Sequence, residues 1–172
     1  MEINENKLNK LGLLMSARGF KLSLAESMSA GFFTSIWSLQ TESGDYLQGS
    51  IVSYAEEVKT DILKVSPLLI EQFSAESIQI TEAMLEGLKR LIPADIHIAV
   101  TGKAFADKEK NANAISGDVF LTISFKEKVI SQKLHFPAEN AAEVFIMAFN
   151  SSLEILESLL SESTESHSIM KD

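Results

Sequence analysis

The stretch LAESMSAG, residues 24–31, decides how the fold of this chain can be interpreted. It follows an apolar run and contains an acid, two serines and a glycine, and a helix is predicted to begin at Phe32 directly behind it. A segment that passes from a strand into a helix leaves the first N–H groups of the helix unpaired, at the positive end of its dipole. Such a turn binds anions or oxyanions, so Ser27 is either a nucleophile at that site or only a helix cap.

The composition predicts one cytoplasmic domain. The chain has 172 residues, of which 45% are hydrophobic, and this is enough for one hydrophobic core. The sequence contains no apolar run of membrane-spanning length and no signal-peptide pattern, so we expect no membrane partner. We assign residues 1–160 to the domain and expect the polar segment 161–172 to be a disordered tail.

The charge and the side-chain inventory argue against nucleic acid and against metal. The formal net charge is −9 at pH 7, and no basic stripe is present that could neutralise a phosphate backbone. The chain has no cysteine, and its three histidines lack metal-ligand spacing. We therefore predict no nucleic-acid partner, no metal and no cofactor.

Helical and extended patterns alternate along the chain, which is typical of the α/β class. We predict a single layered domain that has a mixed sheet with an antiparallel hairpin, and helices packed on it. The predicted strands cover residues 20–24, 49–55 and 96–101, the hairpin 119–124 and 129–136, and the helices 8–18, 32–39, 77–92 and 138–160.

Four segments resemble, in unbroken order, the C-terminal domain of the competence/damage-inducible protein CinA. They are LAES at 24–27, GSIVSYAEEVKTDILKV at 49–65, SAESIQITEAMLEGLKR at 74–90 and IAVTGKA at 98–104. Stand-alone members of this family are nicotinamide mononucleotide deamidases, which hydrolyse the carboxamide of a pyridine nucleotide and release ammonia. The resemblance implies an amidohydrolase that acts on a pyridine nucleotide or a related amide.

The resemblance also implies roles for three residues. Ser27 takes the position of the family's nucleophile, Lys59 that of its general base, and Tyr54 that of its strand-end tyrosine, and these three are the candidate catalytic residues. A serine hydroxyl needs a base to become a strong nucleophile, and a lysine acts as a base only if its amine is partly neutral. We therefore expect a buried Lys59 within hydrogen-bond reach of the Ser27 hydroxyl, directly or through one water.

Residues that follow the nucleophile and the third predicted strand are candidates for binding an oxyanion or the substrate. The family has Cys-Thr-Gly-Gly directly after its serine, whereas Ala30 stands here in place of a glycine, so the turn is expected to shift if that position needs a positive φ. Glu26 is predicted to be a structural hydrogen-bond acceptor. The candidates for oxyanion or substrate binding are Met28, Ser29, Ala30, Gly31, Gly102 and Lys103.

Capture of a phosphate is predicted to be weak. Between Gly102 and Gly117 the chain lacks the family's glycine-rich loop, and the segment 136–145 lacks an arginine, so two usual ways of holding a phosphate are missing. Lys103, Lys108 and Lys110 could replace them only as point charges, and a solvated loop is the alternative. The other possible function is that of a catalytically degenerate relative with a binding or assembly role.

A homodimer is predicted as well. The first helix and the last helix, with its apolar segment Val144–Phe149, carry more apolar residues than one face of a small sheet can cover, so a second copy could share them. The family resemblance implies the same assembly.

Overall fold

Five strands and seven helices follow one another along the part of the chain that the computed structural model describes, residues 2–105 and 114–168. They are α1 (Glu5–Arg18), β1 (Leu22–Glu26), α2 (Phe32–Ser38), α3 (Ser43–Tyr46), β2 (Leu47–Val52), α4 (Glu56–Asp61), α5 (Pro67–Phe73), α6 (Ile78–Leu91), β3 (Ile96–Gly102), β4 (Asp118–Phe125), β5 (Lys128–His135) and α7 (Ala141–Ser168).

The strands form one mixed sheet in the order β2-β1-β3-β4-β5. β1 pairs parallel with β2 on one side and parallel with β3 on the other, so all five of its residues are buried. β4 and β5 form an antiparallel hairpin, which continues the sheet from β3. The predicted α/β class, the mixed sheet and the hairpin are confirmed.

Helices cover both faces of the sheet. One core lies between the sheet and helices α1, α2 and α7, where Phe33 and Trp37 each pack edge to face on Phe149. A smaller core lies on the other face, where Met84 and Leu88 of α6 pack over Ala25 and Ala99. β2 and β3 lie on opposite sides of β1. The connection from β1 to β2 therefore crosses one face of the sheet, and the connection from β2 to β3 crosses the other. A crevice therefore opens at the carboxyl end of β1, where open α/β sheets bind ligands.

Local signals fix the ends of the two helices that the sequence defines best. Gly19 ends α1 in a left-handed conformation with φ 66°, and its N–H group bonds the last carbonyls of the helix. Ser77 caps α6 and accepts a hydrogen bond from the N–H group of Ile80 at 3.3 Å. Both predicted ends are confirmed.

Other boundaries differ from the predictions. β1 begins and ends two residues later than predicted, because its register is set by β2 and β3 and not by the first apolar residue. The short helices α3, α4 and α5 escape prediction since each is too short to show a clear apolar period. The backbone of α7 continues to Ser168, beyond the predicted end at residue 160, because each further residue of a formed helix adds a hydrogen bond. Residues 169–172 lie outside the described residues.

The apolar residues of α7 are largely used inside the protomer. Val144, Ala148 and Phe149 are buried in the larger core, and Phe145 packs against Phe32. The part of α7 from Ala141 to Ser161 is long and apolar enough to cross a membrane by length and composition alone, and half of it is buried inside the protein. The homodimer stays a prediction, since this packing accounts for much of the apolar segment on which it was based.

Candidate active site

Three parallel strands bring the predicted site residues to one edge of the sheet. Ser27 follows β1, Tyr54 follows β2, and Lys103 follows β3, so their backbones meet at the carboxyl ends of these strands. The N–H group of Ser27 bonds the carbonyl of Val100 in β3 at 3.0 Å. This bond fixes the first residue of the turn against the neighbouring strand.

A cavity of about 280 Å³ opens beside Ser27. Only 8% of the Ser27 surface is exposed, and its hydroxyl makes no hydrogen bond to any described residue. The cavity wall contains polar, charged and aromatic side chains. The lining residues are Ser27, Met28, Tyr54, Glu76, Gly102, Lys103, Ala104 and Phe105.

Glu26, directly before Ser27, caps the start of α2. One of its carboxylate oxygens accepts hydrogen bonds from the Ser29 hydroxyl at 2.7 Å, from the N–H group of Gly31 at 3.1 Å and from that of Phe33 at 3.0 Å. The other oxygen accepts from the N–H group and the hydroxyl of Thr34. The predicted structural role of Glu26 is confirmed, because this buried carboxylate bonds the N–H groups that a helix start leaves unpaired.

Fewer backbone N–H groups are open at the predicted oxyanion site than the sequence suggests. The N–H group of Gly31 bonds Glu26, and that of Ala30 bonds the carbonyl of Ser27 at 3.1 Å, so neither is open to a ligand. Ser27 is not the helix cap either, since α2 begins at Phe32 behind Gly31. The N–H groups of Met28 and Ser29 have no hydrogen-bond partner among the described residues. These two groups are the remaining candidate oxyanion donors.

Ala30 keeps the backbone conformation that a glycine would adopt most easily. Its φ is 50°, in the left-handed region, and the following Gly31 has φ 98°. The turn therefore has a positive φ at this position although the residue is an alanine. The backbone strain at Ala30 is the expected cost.

Lys59 is buried behind this edge of the sheet. Only 2% of the residue is exposed, and its Nζ donates hydrogen bonds to the carbonyls of Ser53 at 2.8 Å and Tyr54 at 3.4 Å. Burial lowers the pKa of the Lys59 amine, and this effect outweighs the carboxylates of Glu76 and Glu56, which raise it. The expected burial of Lys59 is confirmed, and the direction of the pKa shift is the one that a base role requires.

Lys59 and Ser27 are linked through the end of β2. The carbonyl that accepts from Lys59 belongs to Ser53, whose N–H group bonds the carbonyl of Glu26 at 2.7 Å. Ser27 is the next residue after Glu26. The predicted direct hydrogen bond between Ser27 and Lys59 is not formed, because the Lys59 ammonium is bonded to carbonyls. A link through one water stays a prediction.

The remaining predicted residues lie at the cavity wall with different environments. Tyr54 is 60% exposed at its rim. A Cβ atom at Gly102 would lie 2.5 Å from the carbonyl oxygen of Asp118, so glycine is needed there for close packing against β4. The backbone of Lys103 bonds Asp118 and Gly117, which closes the base of the loop after β3. Lys108 and Lys110 lie outside the described residues.

Sequence reasoning missed two side chains of the cavity wall. Glu76 directly precedes the helix cap Ser77, and the pattern around it indicated only the start of a helix. Phe105 is an aromatic residue in an otherwise polar loop, and this contrast was its only signal in the sequence. In the structure the residue is 58% exposed. Among the described residues, no group of three His, Cys, Asp or Glu side chains could hold a metal ion.

Comparison with known proteins places this arrangement in a family. Residues 4–160 match the sequence model described as the CinA C-terminal domain. A CinA-like protein of Flavobacterium psychrophilum is 35% identical over 146 residues, which are 85% of this chain and 34% of that protein. A putative competence-damage inducible protein of Desulforudis audaxviator is 32% identical over 150 residues, 87% of this chain and 36% of that protein. The chain thus spans about a third of the length of these relatives.

Solved structures share the fold. A CinA superfamily protein of Escherichia coli superposes with a TM-score of 0.83 at 25% identity, covering 90% of this chain and 89% of that one. The competence damage-inducible protein A of Klebsiella pneumoniae gives a TM-score of 0.86 at 24% identity, covering 93% and 98%.

Proposed function

The chain belongs to the CinA C-terminal domain family, and from this premise we propose that it is an amidohydrolase with Ser27 as nucleophile and Lys59 as general base. The proposed substrate is the carboxamide of nicotinamide mononucleotide or a related small amide. The observation that carries the proposal is the burial of Lys59, with a lowered amine pKa, against the end of β2, where Ser53 bonds the residue that precedes Ser27 and its cavity.

The proposed reaction has two halves. The Ser27 hydroxyl attacks the carboxamide carbon and gives its proton to the neutral amine of Lys59, and the N–H groups of Met28 and Ser29 stabilise the oxyanion. Lys59 then returns the proton to the amide nitrogen, the C–N bond breaks, and ammonia is released. The acyl group stays on Ser27 as an ester. A water molecule attacks this ester and gives a proton to Lys59, which restores the serine hydroxyl and releases a carboxylic acid.

Capture of the phosphate remains the weak point of the proposed site. Lys103 is the one lysine that lines the described part of the cavity, and a lysine contacts a phosphate only as a point charge. We expect nicotinamide mononucleotide and its dephosphorylated riboside to be hydrolysed with kcat/KM values within about tenfold of each other, because one exposed ion pair contributes at most about 1 kcal/mol. Ammonia release from both amides measures the ratio. A preference of about 10³ for the nucleotide would show that a strong phosphate site exists.

The alternative proposal is a catalytically degenerate domain with a binding or assembly role. It is favoured by the two carbonyls to which the Lys59 ammonium donates, because these bonds would also suit a lysine that only holds the turn between β2 and α4. A screen for ammonia release over pyridine nucleotides and small amides separates the two proposals. The absence of release from every amide would support the degenerate domain.

A further inference from the structure

A carboxylate and two exposed aromatic side chains line the same cavity as Ser27. Glu76 contributes the carboxylate, and Tyr54 and Phe105 are 60% and 58% exposed. The proposed proton transfers use neither Glu76 nor Phe105. Among the described residues, the charged groups that line the cavity beside these rings are Glu76 and Lys103. Aromatic side chains with a few charged groups in one concave site are typical of a place that binds and orients a ligand.

The chemistry of these three groups favours a particular kind of ligand. The face of an aromatic ring attracts a cation through the ring quadrupole, and a flat ring offers the largest contact. A carboxylate in a partly enclosed cavity attracts a positive charge and disfavours a negative one. Glu76, Tyr54 and Phe105 together therefore match a flat ring that carries a positive charge.

We propose that Glu76 is a specificity-determining residue, which selects carboxamides carried on a positively charged aromatic ring, with Tyr54 and Phe105 contacting that ring. The inference rests on the proposed function for the carboxamide next to Ser27. It goes beyond that function because it assigns the recognition of ring charge to a residue outside the nucleophile and base pair.

Glu76 also lies close enough to Lys59 to raise the pKa of its amine, so an effect on the base must be separated from an effect on the ligand. Glu56 provides the matched control, since its carboxylate also raises the pKa of Lys59 but Glu56 does not line the cavity. Glu76→Gln and Glu56→Gln therefore both change the field at Lys59, and only Glu76→Gln changes the cavity wall.

The test measures binding without turnover, in a Ser27→Ala background. The two probes are nicotinamide mononucleotide, whose ring is cationic, and its reduced dihydro form, whose ring is neutral. Titrations followed by NMR give a dissociation constant for each probe. We expect the cationic probe to bind about tenfold more tightly, Glu76→Gln to reduce this preference at least about fivefold, and Glu56→Gln to change it less than about twofold.

Three outcomes would overturn the inference: equal binding of the two probes, a preference that survives Glu76→Gln, and failure of both probes to bind. The proposed function is judged separately by ammonia release from the protein that retains Ser27. Charge-selective binding without ammonia release would leave the role of Glu76 standing and remove the hydrolase, and ammonia release without charge selection would do the reverse.

Discussion

Replacing Lys59 by methionine separates a catalytic role of this residue from a structural one. The substitution removes one hydrogen bond of good length, from Nζ to the Ser53 carbonyl at 2.8 Å, and such a charge-assisted bond contributes roughly 1.5–3 kcal/mol. It also removes the cost of burying an ammonium group, which is several kcal/mol, and methionine fills a similar volume. We therefore expect the free energy of unfolding at pH 7.5 to change by less than about 1.5 kcal/mol, whereas turnover falls about 10²- to 10⁴-fold.

The same substitution changes the pH dependence of stability. Burial lowers the pKa of Lys59 in the folded protein below 10.5, its ordinary value, so the unfolded chain binds this proton more tightly. Stability of the unaltered protein therefore rises with pH between the lowered pKa and 10.5, with a slope of up to about 1.4 kcal/mol per pH unit. Below the lowered pKa the amine is charged in both states, and its contribution to the slope vanishes.

Urea unfolding at pH 8, 9 and 10 measures this slope for the unaltered protein and for Lys59→Met. Lys64→Met is the matched control, because Lys64 follows the same helix and is exposed. We expect the slope to be lost in Lys59→Met and kept in Lys64→Met. The same dependence of stability on pH in all three proteins would refute the reasoning. A destabilisation by Lys59→Met of more than about 3 kcal/mol would also refute it, because it would indicate that the hydrogen bonds of Lys59 are structural.

Two further predictions concern backbone strain and a buried histidine. Ala30→Gly is expected to raise the free energy of unfolding by about 0.5–1 kcal/mol in urea titrations, because Ala30 has φ 50°. The control Ala83→Gly, inside helix α6, is expected to lower it by about 1 kcal/mol. Burial lowers the pKa of His97 in the folded protein. As the pH falls below 6.5, this histidine is therefore protonated in the unfolded chain before it is protonated in the folded protein, and the free energy of unfolding falls by up to about 1.4 kcal/mol per pH unit. His97→Gln should flatten this dependence between pH 7 and 5.5, and an unchanged slope would show that His97 is not its source.

The sequence predicts the parts of the fold that have strong periodic or capping signals. Helix α6 is an example, because its apolar stripe and its cap Ser77 are both local, and the hairpin of β4 and β5 alternates clearly. The bounds of β1 were wrong by two residues since they depend on pairing with two distant strands. The order of helices and strands along the chain predicted the fold class. The same order predicted that Ser27 lies at the end of a strand.

The finer arrangement of the site depends on contacts that no local pattern contains. The N–H groups of Ala30 and Gly31 are already bonded, because the Glu26 carboxylate accepts from Gly31 and the Ser27 carbonyl accepts from Ala30. Glu76 and Phe105 reach the cavity only because β1, β2 and β3 end at the same edge. Their role depends on neighbours that are distant in the sequence.

The central claim, that Ser27 is the nucleophile of an amidohydrolase, is tested most directly by ammonia release from nicotinamide mononucleotide by the unaltered protein and by Ser27→Ala. Ser35→Ala is the control, since Ser35 is exposed on α2 and does not line the cavity. We predict release by the unaltered protein and by Ser35→Ala, and none above background by Ser27→Ala. Release that persists unchanged in Ser27→Ala would contradict the claim.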